Sequence, residues 1–200
     1  MRWLITGAKG MLGQDLTAAL EKRGHEAVAP SREQLDVSNA AGVRDLINLL
    51  KPDVIVNCAA YTRVDAAEAN EEAATRINAG GPANLAAAAN SVGALLIQIS
   101  SDFVFSGTKR LPYEPDDPTA PLSAYGRSKL QGEENAAEAA KHLVIRTSWL
   151  FGVHGENFVE AIRNQIRKGN RSLQVVNDQH GRPTYIPHLV DAIASTRWGM

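Results

Sequence analysis

Residues 3–13 read WLITGAKGMLG, an apolar run that leads directly into a Gly-x-x-Gly-x-x-Gly pattern. The run Trp3–Thr6 predicts a strand buried on both faces of a sheet, and the residues after the second glycine predict a helix. In such a unit the three glycines allow a tight turn, a close approach of backbone to a pyrophosphate, and close helix–sheet packing. A glycine turn without a ligand is the alternative, because the pattern by itself is loose. We predict a dinucleotide turn formed by Gly7, Lys9, Gly10, Met11, Leu12 and Gly13.

Further apolar runs alternate with helical segments along the chain. The predicted strands are Trp3–Thr6, Glu26–Ala29, Val54–Asn57, Leu95–Ser100 and Leu143–Arg146. The predicted helices are Met11–Arg23, Ala40–Leu50, Glu71–Val92 and Ser123–Ala140. This alternation indicates an α/β fold, a Rossmann-like doubly wound parallel sheet. We predict a nucleotide-binding domain over residues 1–150 and the start of a small, incomplete substrate lobe over residues 151–200.

Composition and charge exclude several classes of protein. The chain has 200 residues, of which 44% are hydrophobic and 22% charged, and these proportions suit a packed globular domain. A formal net charge of -1 gives no electrostatic footprint for nucleic acid or an acidic membrane. The single cysteine, Cys58, fits a reducing compartment, and the apolar run at the start is too short for a signal peptide or membrane span. The prediction is a cytoplasmic protein with no nucleic-acid or membrane partner.

The residues after the second predicted strand bear on the choice of cofactor. This position contacts the adenosine ribose in dinucleotide-binding folds, where an acidic residue favours NAD and an arginine accommodates the 2′-phosphate of NADP. Here the chain reads Pro30-Ser31-Arg32-Glu33. Ser31 and Arg32 favour NADPH as the cofactor, while Glu33 keeps NADH as the alternative.

Tyr125 and Lys129 stand four residues apart at the start of a predicted helix, which brings both side chains onto one face. A neighbouring ammonium stabilises a phenolate, so this spacing predicts a lowered tyrosine pKa and a proton donor for carbonyl reduction. Ser101, at the end of the fourth strand, adds a hydroxyl that can polarise a carbonyl. The proline-rich segment 106–122 follows this strand and predicts a binding loop, because long ordered loops are usually functional.

Five segments together resemble the extended short-chain dehydrogenase/reductases, and among them the dTDP-4-dehydrorhamnose reductase family. The segments are Leu35–Val37, Asn57–Glu68, Ser101–Phe105, Arg146–Trp149 and Val176–Thr184. The similarity extends over essentially the whole chain. Relative to the family, Ser101 replaces a threonine and keeps its hydroxyl, while Phe103 replaces a tyrosine and loses one.

The resemblance implies NAD(P)H-dependent reduction of the 4-keto group of dTDP-4-dehydro-L-rhamnose. It implies a sugar-nucleotide substrate, a possible homodimer and, in some members, magnesium, for which the sequence offers no site. By resemblance, the catalytic residues are Ser101, Tyr125 and Lys129. The cofactor contacts it adds are Asp36, Val37, Ala59, Ala60 and Thr62, with Tyr125 and Lys129 shared. The implied substrate contacts are Ser101, Asp102, Phe103 and Trp149.

Two alternatives remain open at this stage. A dehydratase or epimerase is disfavoured, because dehydratases carry Asp-Glu after the catalytic hydroxyl residue and epimerases generally lack the aspartate, whereas here Asp102-Phe103 follows. A non-catalytic NADP-binding subunit of the methionine adenosyltransferase type is the alternative from another class. Family members run on beyond the position of Met200, so a truncated chain is also expected.

Overall fold

Five parallel strands form the central sheet, and their order places an open crevice at its carboxyl edge. They are β1 (Arg2–Thr6), β2 (Glu26–Val28), β3 (Val54–Asn57), β4 (Leu95–Ser101) and β5 (His142–Thr147). The order is β2-β1-β3-β4-β5, so the direction of winding reverses between β1 and β3. Ligands of such sheets bind outside the carboxyl ends of the strands at that reversal. The structure is a computed structural model and describes residues 1–195.

Eight α-helices connect and flank the strands within the described residues. They are α1 (Met11–Lys22), α2 (Ala40–Leu50), α3 (Val64–Ala69), α4 (Glu71–Thr75), α5 (Gly81–Val92), α6 (Ala124–Ala136), α7 (Phe158–Arg167) and α8 (Ile186–Ser195). Two short strands, β6 (Leu150–Phe151) and β7 (Thr184–Tyr185), pair parallel outside the main sheet. None of the described helices is long and apolar enough to cross a membrane.

Successive residues of β1 point to opposite faces of the sheet, and each face has its own core. Ile5 packs in the cluster that contains residues of α1 and α8. Leu4 packs in the cluster that contains residues of α2, α5 and the end of α6. Because both faces are covered, the strands need apolar residues without polar alternation, as the sequence shows. The predicted doubly wound α/β fold is confirmed.

Two element predictions needed correction. The predicted helix Glu71–Val92 is interrupted by a π-helical segment, Arg76–Gly80, between α4 and α5. The buried Asn78 lies in that segment, where its side chain bonds the backbone of Tyr61 and the Ser128 hydroxyl. The predicted helix Ser123–Ala140 is shorter, because Ser123 caps α6 through the amide of Gly126 and the helix ends at Ala136.

The chain after β5 contains elements that the sequence reading did not predict. α8 returns to the main sheet and packs against α1, burying Ile186 and Ile193. In contrast, α7 has no buried residue, and Phe158 and Ile166 are each more than 60% exposed. The division of the chain after residue 150 into two domains stays a prediction.

Candidate functional site

Two adjoining cavities follow the carboxyl ends of β1, β3 and β4. The smaller, about 330 Å³, lies over the loop that follows β3 and the residues that follow β2. The larger, about 470 Å³, extends from the glycine turn to α6 and the end of β5. The residues that line both are Lys9, Gly10, Cys58, Ala59, Ala60 and Thr62. Because the two cavities share these residues, they form one continuous cleft along the carboxyl edge of the sheet.

The glycine turn is fitted closely to the neighbouring backbone. Gly7 has φ +63°, and a Cβ atom there would lie 2.6 Å from the Ala59 backbone nitrogen. A Cβ atom at Gly13 would lie 2.6 Å from the Gly7 carbonyl oxygen. The N-cap of α1, Gly10, has no side chain to occupy the helix terminus. The turn therefore leaves the amide end of α1 open to a phosphate.

The smaller cavity contains residues that the sequence predicts for the adenosine end of a cofactor. It is lined after β2 by Pro30, Arg32, Glu33, Leu35, Asp36 and Val37. Lys9 Nζ lies 3.9 Å from Glu33 Oε2, so one acid and one base flank each other at its rim. Asp36 accepts hydrogen bonds from the amide and hydroxyl of Ser38, which hold the pKa of its carboxyl below the usual range. Ser31 is not among the lining residues, and its amide donates to Gln34.

A chain of buried amide and hydroxyl groups fixes the strand ends beneath the cleft. Thr6 Oγ1 donates to Asn57 Oδ1 at 2.6 Å, and Asn57 Nδ2 donates to Gln98 Oε1 at 2.8 Å. Gln98 Nε2 then donates to the Ile99 carbonyl oxygen. The bonds join β1, β3 and β4 side by side, which holds the rim rigid. The sequence reading missed this network, although its signal was a polar residue inside each of three apolar runs.

The start of α6 is held in place from two sides. Glu68 Oε1 accepts a hydrogen bond from the backbone amide of Ala124, the first residue of α6, at 2.8 Å. A Cβ atom at Gly126 would lie only 2.3 Å from the Phe103 carbonyl oxygen. The helix therefore approaches the Asp102–Val104 turn at backbone distance, and this approach brings Tyr125 beside the end of β4.

Lys129 is buried, with 4% of its surface exposed, and lines the larger cavity together with Tyr125 and Ser101. Its Nζ donates to the Ile99 carbonyl oxygen at 2.6 Å. Burial lowers the pKa of this ammonium to about 8, against the opposing influence of Glu133. The buried Ser100 hydroxyl oxygen in the same wall has no hydrogen-bond partner within residues 1–195. Polar groups thus face a largely apolar cleft.

Tyr125 is protonated at neutral pH, contrary to the expected lowering of its pKa. Burial raises the pKa of the phenol above its ordinary value, the Ser101 hydroxyl lowers it, and the Asp102 charge raises it further. The prediction was wrong because desolvation of the phenolate outweighs the stabilising groups. Asp102 follows the same rule, since burial raises the pKa of its carboxyl while Ser101 donates to Oδ1 at 3.1 Å.

Trp149 forms the far wall of the larger cavity with a strained backbone. Its φ of +45° is rare for a residue with a side chain, and such conformations concentrate at functional sites. The ring is 43% exposed and closes against Gly181, where a Cβ atom would lie 3.1 Å from it. A third cavity, about 310 Å³, lies on its other side. It is lined by Asp102, Phe103, Phe105, Ser106, Gly107, Leu122, Ser123, Trp149, Asp178, Gln179 and His180.

The predicted site residues, apart from Ser31, all line these cavities. Several lining residues were not predicted. They include Ile77, Val64, Ile99, Ser100, Thr147, Ser148, Leu150 and Gly155. Cys58 also lines the cleft, and burial raises the pKa of its thiol to about 12. Over residues 1–195, no three His, Cys, Asp or Glu side chains are grouped as a metal would need.

Replacing Lys129 by methionine is expected to raise the unfolding free energy below pH 8. The pKa of about 8 in the fold lies below the ordinary 10.5, so the unfolded chain binds more protons between these values. The unfolding free energy of the wild type therefore rises between about pH 8 and pH 10.5. The extra stability of the variant, up to about 3 kcal/mol below pH 8, shrinks over the same range. Urea unfolding at pH 7, 8, 9 and 10 measures this. Lys22→Met on the exposed surface is the control. A difference in unfolding free energy between Lys129→Met and the wild type that does not change with pH would contradict a buried ammonium at Lys129.

Comparison with known proteins gives consistent matches along the chain. The family model described as the RmlD substrate binding domain matches residues 1–197. A dTDP-4-dehydrorhamnose reductase of Streptomyces griseus is 43% identical over 196 residues, 97% of this chain and 64% of that protein. A dTDP-4-keto-6-deoxy-D-glucose reductase of Streptomyces niveus is 40% identical over 97% of this chain and 68% of that protein.

A solved structure shares the fold over the same region. It is the dTDP-4-dehydrorhamnose reductase of Bacillus anthracis in complex with NADP, with a TM-score of 0.94 and 38% identity. The match covers 97% of this chain and 69% of that one. This chain therefore spans 64–69% of the length of these three proteins.

Proposed function

This chain belongs to the family of the RmlD substrate binding domain, and we propose that it is an NAD(P)H-dependent reductase of a nucleotide-linked keto sugar. The proposed reaction reduces the 4-keto group of a dTDP-4-keto-6-deoxyhexose, with dTDP-4-dehydro-L-rhamnose giving dTDP-L-rhamnose. One observation carries the proposal: Ser101, Tyr125 and Lys129 line the same cavity as the glycine turn. A dinucleotide anchored at the turn and extended along the cleft would end beside these three groups.

The residues present fit a nicotinamide dinucleotide. The close contacts of Gly7 and Gly13 with backbone leave the amide end of α1 for the pyrophosphate. The adenosine would lie between Arg32, Asp36 and Val37, and the nicotinamide ribose near Lys129. When bound in reduced form, the nicotinamide supplies hydride to a keto carbon. Alanines 59 and 60 give the middle of the cleft a surface without bulk or charge.

The side chains of the cleft supply the proton and hold the carbonyl. Tyr125 donates the proton to the sugar oxygen, and its phenol is in the protonated form at neutral pH, as donation needs. The Ser101 hydroxyl donates a hydrogen bond to the same oxygen and polarises the carbonyl. The ammonium of Lys129 stabilises the phenolate that donation leaves behind, because opposite charges in a buried site attract strongly. Asp102, Phe103 and Trp149 would hold the sugar nucleotide.

We further propose that NADPH is preferred over NADH, with Arg32 as the 2′-phosphate contact. Arg32→Ala is expected to weaken NADPH binding by about tenfold and to leave NADH binding within about twofold, since only NADPH carries the phosphate. Quenching of intrinsic tryptophan fluorescence during titration measures both affinities. Arg44→Ala, an exposed arginine on α2, is the control. Equal losses for the two cofactors would contradict this role.

Titration of the chain with NADPH, followed by absorbance at the reduced-nicotinamide band with dTDP-4-keto sugars, tests the function directly. The expected result is saturable cofactor binding and cofactor oxidation that depends on the keto sugar. Binding without any oxidation would favour the non-catalytic subunit reading. The described residues do not fit a magnesium site within one chain, so no step is assigned to magnesium. A homodimer and a cytoplasmic location stay predictions.

A further inference from the structure

The proline-rich segment 106–122 borders the third cavity without any regular structure of its own. Four of its residues are proline, and it contains neither helix nor strand. Its ends still form part of the cavity wall, through Ser106, Gly107 and Leu122. The segment has no ladder of backbone hydrogen bonds. The Ala120 amide bonds the Val104 carbonyl oxygen at 2.9 Å, and side-chain contacts hold the part of the segment before it.

Arg146 on β5 joins the middle of this segment to α6, while Arg127 of α6 donates to the Leu122 carbonyl oxygen at the segment's end at 3.3 Å. The Nε of Arg146 lies 3.0 Å from Glu133 Oε1 and its Nη2 lies 2.7 Å from Glu133 Oε2. Its remaining arm, Nη1, donates to the Pro115 carbonyl oxygen at 2.8 Å. The Glu133 side chain is only 7% exposed, so this forked pair is protected from solvent screening. One guanidinium thus joins a strand, a helix and the proline-rich segment.

The same guanidinium starts a stack of rings that runs through the segment. Its Cζ lies 4.9 Å from the centre of the Phe105 ring, and that ring stacks on Tyr113 at 4.2 Å with an angle of 9°. Lys109 Nζ lies 5.6 Å from the Tyr113 ring on this stack. The two stacked rings thus have a cation at each end, and each cation is attracted to the neighbouring aromatic face by a cation–π interaction. Phe105 connects this stack to the third cavity, because it also lines that cavity.

We propose that Arg146 is a positioning residue that fixes segment 106–122 against α6 as a wall of the sugar-nucleotide site; the sugar part of this inference rests on the proposed function. Arg146 lines none of the cavities described above and acts through Phe105 and Pro115. Its planar guanidinium donates hydrogen bonds to Glu133 and the Pro115 carbonyl oxygen at once and lies over the Phe105 ring. A lysine has the charge but neither the fork nor the plane.

Limited trypsin digestion of the full chain, with the cut sites located by mass spectrometry, tests the anchoring without any need for turnover. Arg146→Lys is expected to speed cleavage after Lys109 or Arg110 by about tenfold. Arg23→Lys is the control, because the Arg23 side chain is 33% exposed against 25% for Arg146 and pairs with Asp191, far from the segment.

Tyr113→Ala removes the stack and leaves the Arg146–Glu133 pair in place. Tyr113→Phe is its control, because the phenolic oxygen alone accepts the Lys109 amide at 3.2 Å. Cleavage of Tyr113→Ala faster than that of Tyr113→Phe is expected if the stack holds the segment, and cleavage of Arg146→Lys at the wild-type rate would overturn the proposal.

Binding and kinetics test the second half of the inference. Arg146→Lys is expected to raise the KM for the keto-sugar nucleotide about tenfold, with kcat within about threefold and NADPH affinity unchanged. A general structural defect would instead weaken NADPH binding and lower kcat together, and that result would overturn the positioning role. If the wild-type chain shows no turnover while cleavage of the variants is faster, the anchoring is supported and the proposed function fails.

Discussion

Replacing Tyr125 by phenylalanine is expected to lower kcat for the keto-sugar nucleotide by about a thousandfold. The change removes only the hydroxyl, and general acids of this kind contribute roughly 10²–10⁴ in rate. The phenol carries its proton at neutral pH, since its ordinary pKa is about 10 and burial raises it further, and phenylalanine has no proton to give. Oxidation of NADPH under saturating keto sugar measures the loss. Affinity for NADPH is expected to stay within about twofold, since the ring and its edge contact with Phe103 remain.

Tyr61→Phe is the matched control for this experiment. Tyr61 and Tyr125 pack against the same small cluster, formed by Ala67, Ala74 and Ala124. Each substitution deletes one phenolic oxygen from a similar environment, so a general cost of losing a hydroxyl would affect both variants equally. Wild-type kcat in the Tyr125 variant, or equal losses in the two variants, would contradict the proton-donor role.

The glycine pattern and the apolar runs were sufficient to predict the sheet, for a physical reason. A strand covered on both faces has no solvent side, so Val54–Asn57 and its neighbours needed an almost continuous apolar run. The dinucleotide turn could be predicted from its glycine pattern. The structure gives the reason for the pattern, since a side chain at Gly7 or Gly13 would collide with backbone. The glycine spacing and the apolar runs are local features of the sequence, although the backbone that approaches Gly7 is that of the distant Ala59. The alternation of strands and helices then left few possible topologies.

The details of the cleft depend on contacts between distant segments, which the sequence does not display. Nothing near Lys129 in sequence indicates that its ammonium donates to the Ile99 carbonyl oxygen. The pKa of Tyr125 was predicted in the wrong direction, because its spacing from Lys129 reveals a neighbour but not the depth of burial. Trp149 similarly gave no sign of its left-handed backbone. Long-range packing decides each of these features.

The position of α6 is the variable on which most of the site depends, because the helix carries Tyr125, Lys129 and Glu133. Besides the hydrogen bonds already described, three close contacts position it: Glu68 at its first turn, Gly126 against the Phe103 carbonyl, and Gly132 against the π-helical segment. At two of these contacts the residue is a glycine, and the absence of a Cβ atom allows the two backbones to approach each other. A shift of the helix by a fraction of an ångström would move the proton donor relative to Ser101, and catalysis is sensitive to displacements of that size.

Gly132→Ala is therefore expected to destabilise the fold by about 3 kcal/mol, which reverses the usual sign of this substitution. Glycine to alanine inside a helix ordinarily stabilises by about 1 kcal/mol. Here the added Cβ atom would lie 2.0 Å from the Asn78 carbonyl oxygen, a backbone atom that cannot rotate away. To relieve the clash, α6 must move and stretch the 2.9 Å hydrogen bond between Asn78 Nδ2 and the Ser128 hydroxyl.

Urea unfolding of this variant beside Gly80→Ala separates the clash from helix propensity. Gly80 lies in the neighbouring π-helical segment with φ −62°, and a Cβ atom there would meet nothing within 4 Å. Gly80→Ala is expected to leave stability unchanged or raise it by up to about 1 kcal/mol, because only the entropy of the unfolded chain is reduced. If the two variants were equally stable, α6 and the π-helical segment would not be in backbone contact, and the position of Tyr125 would need another explanation.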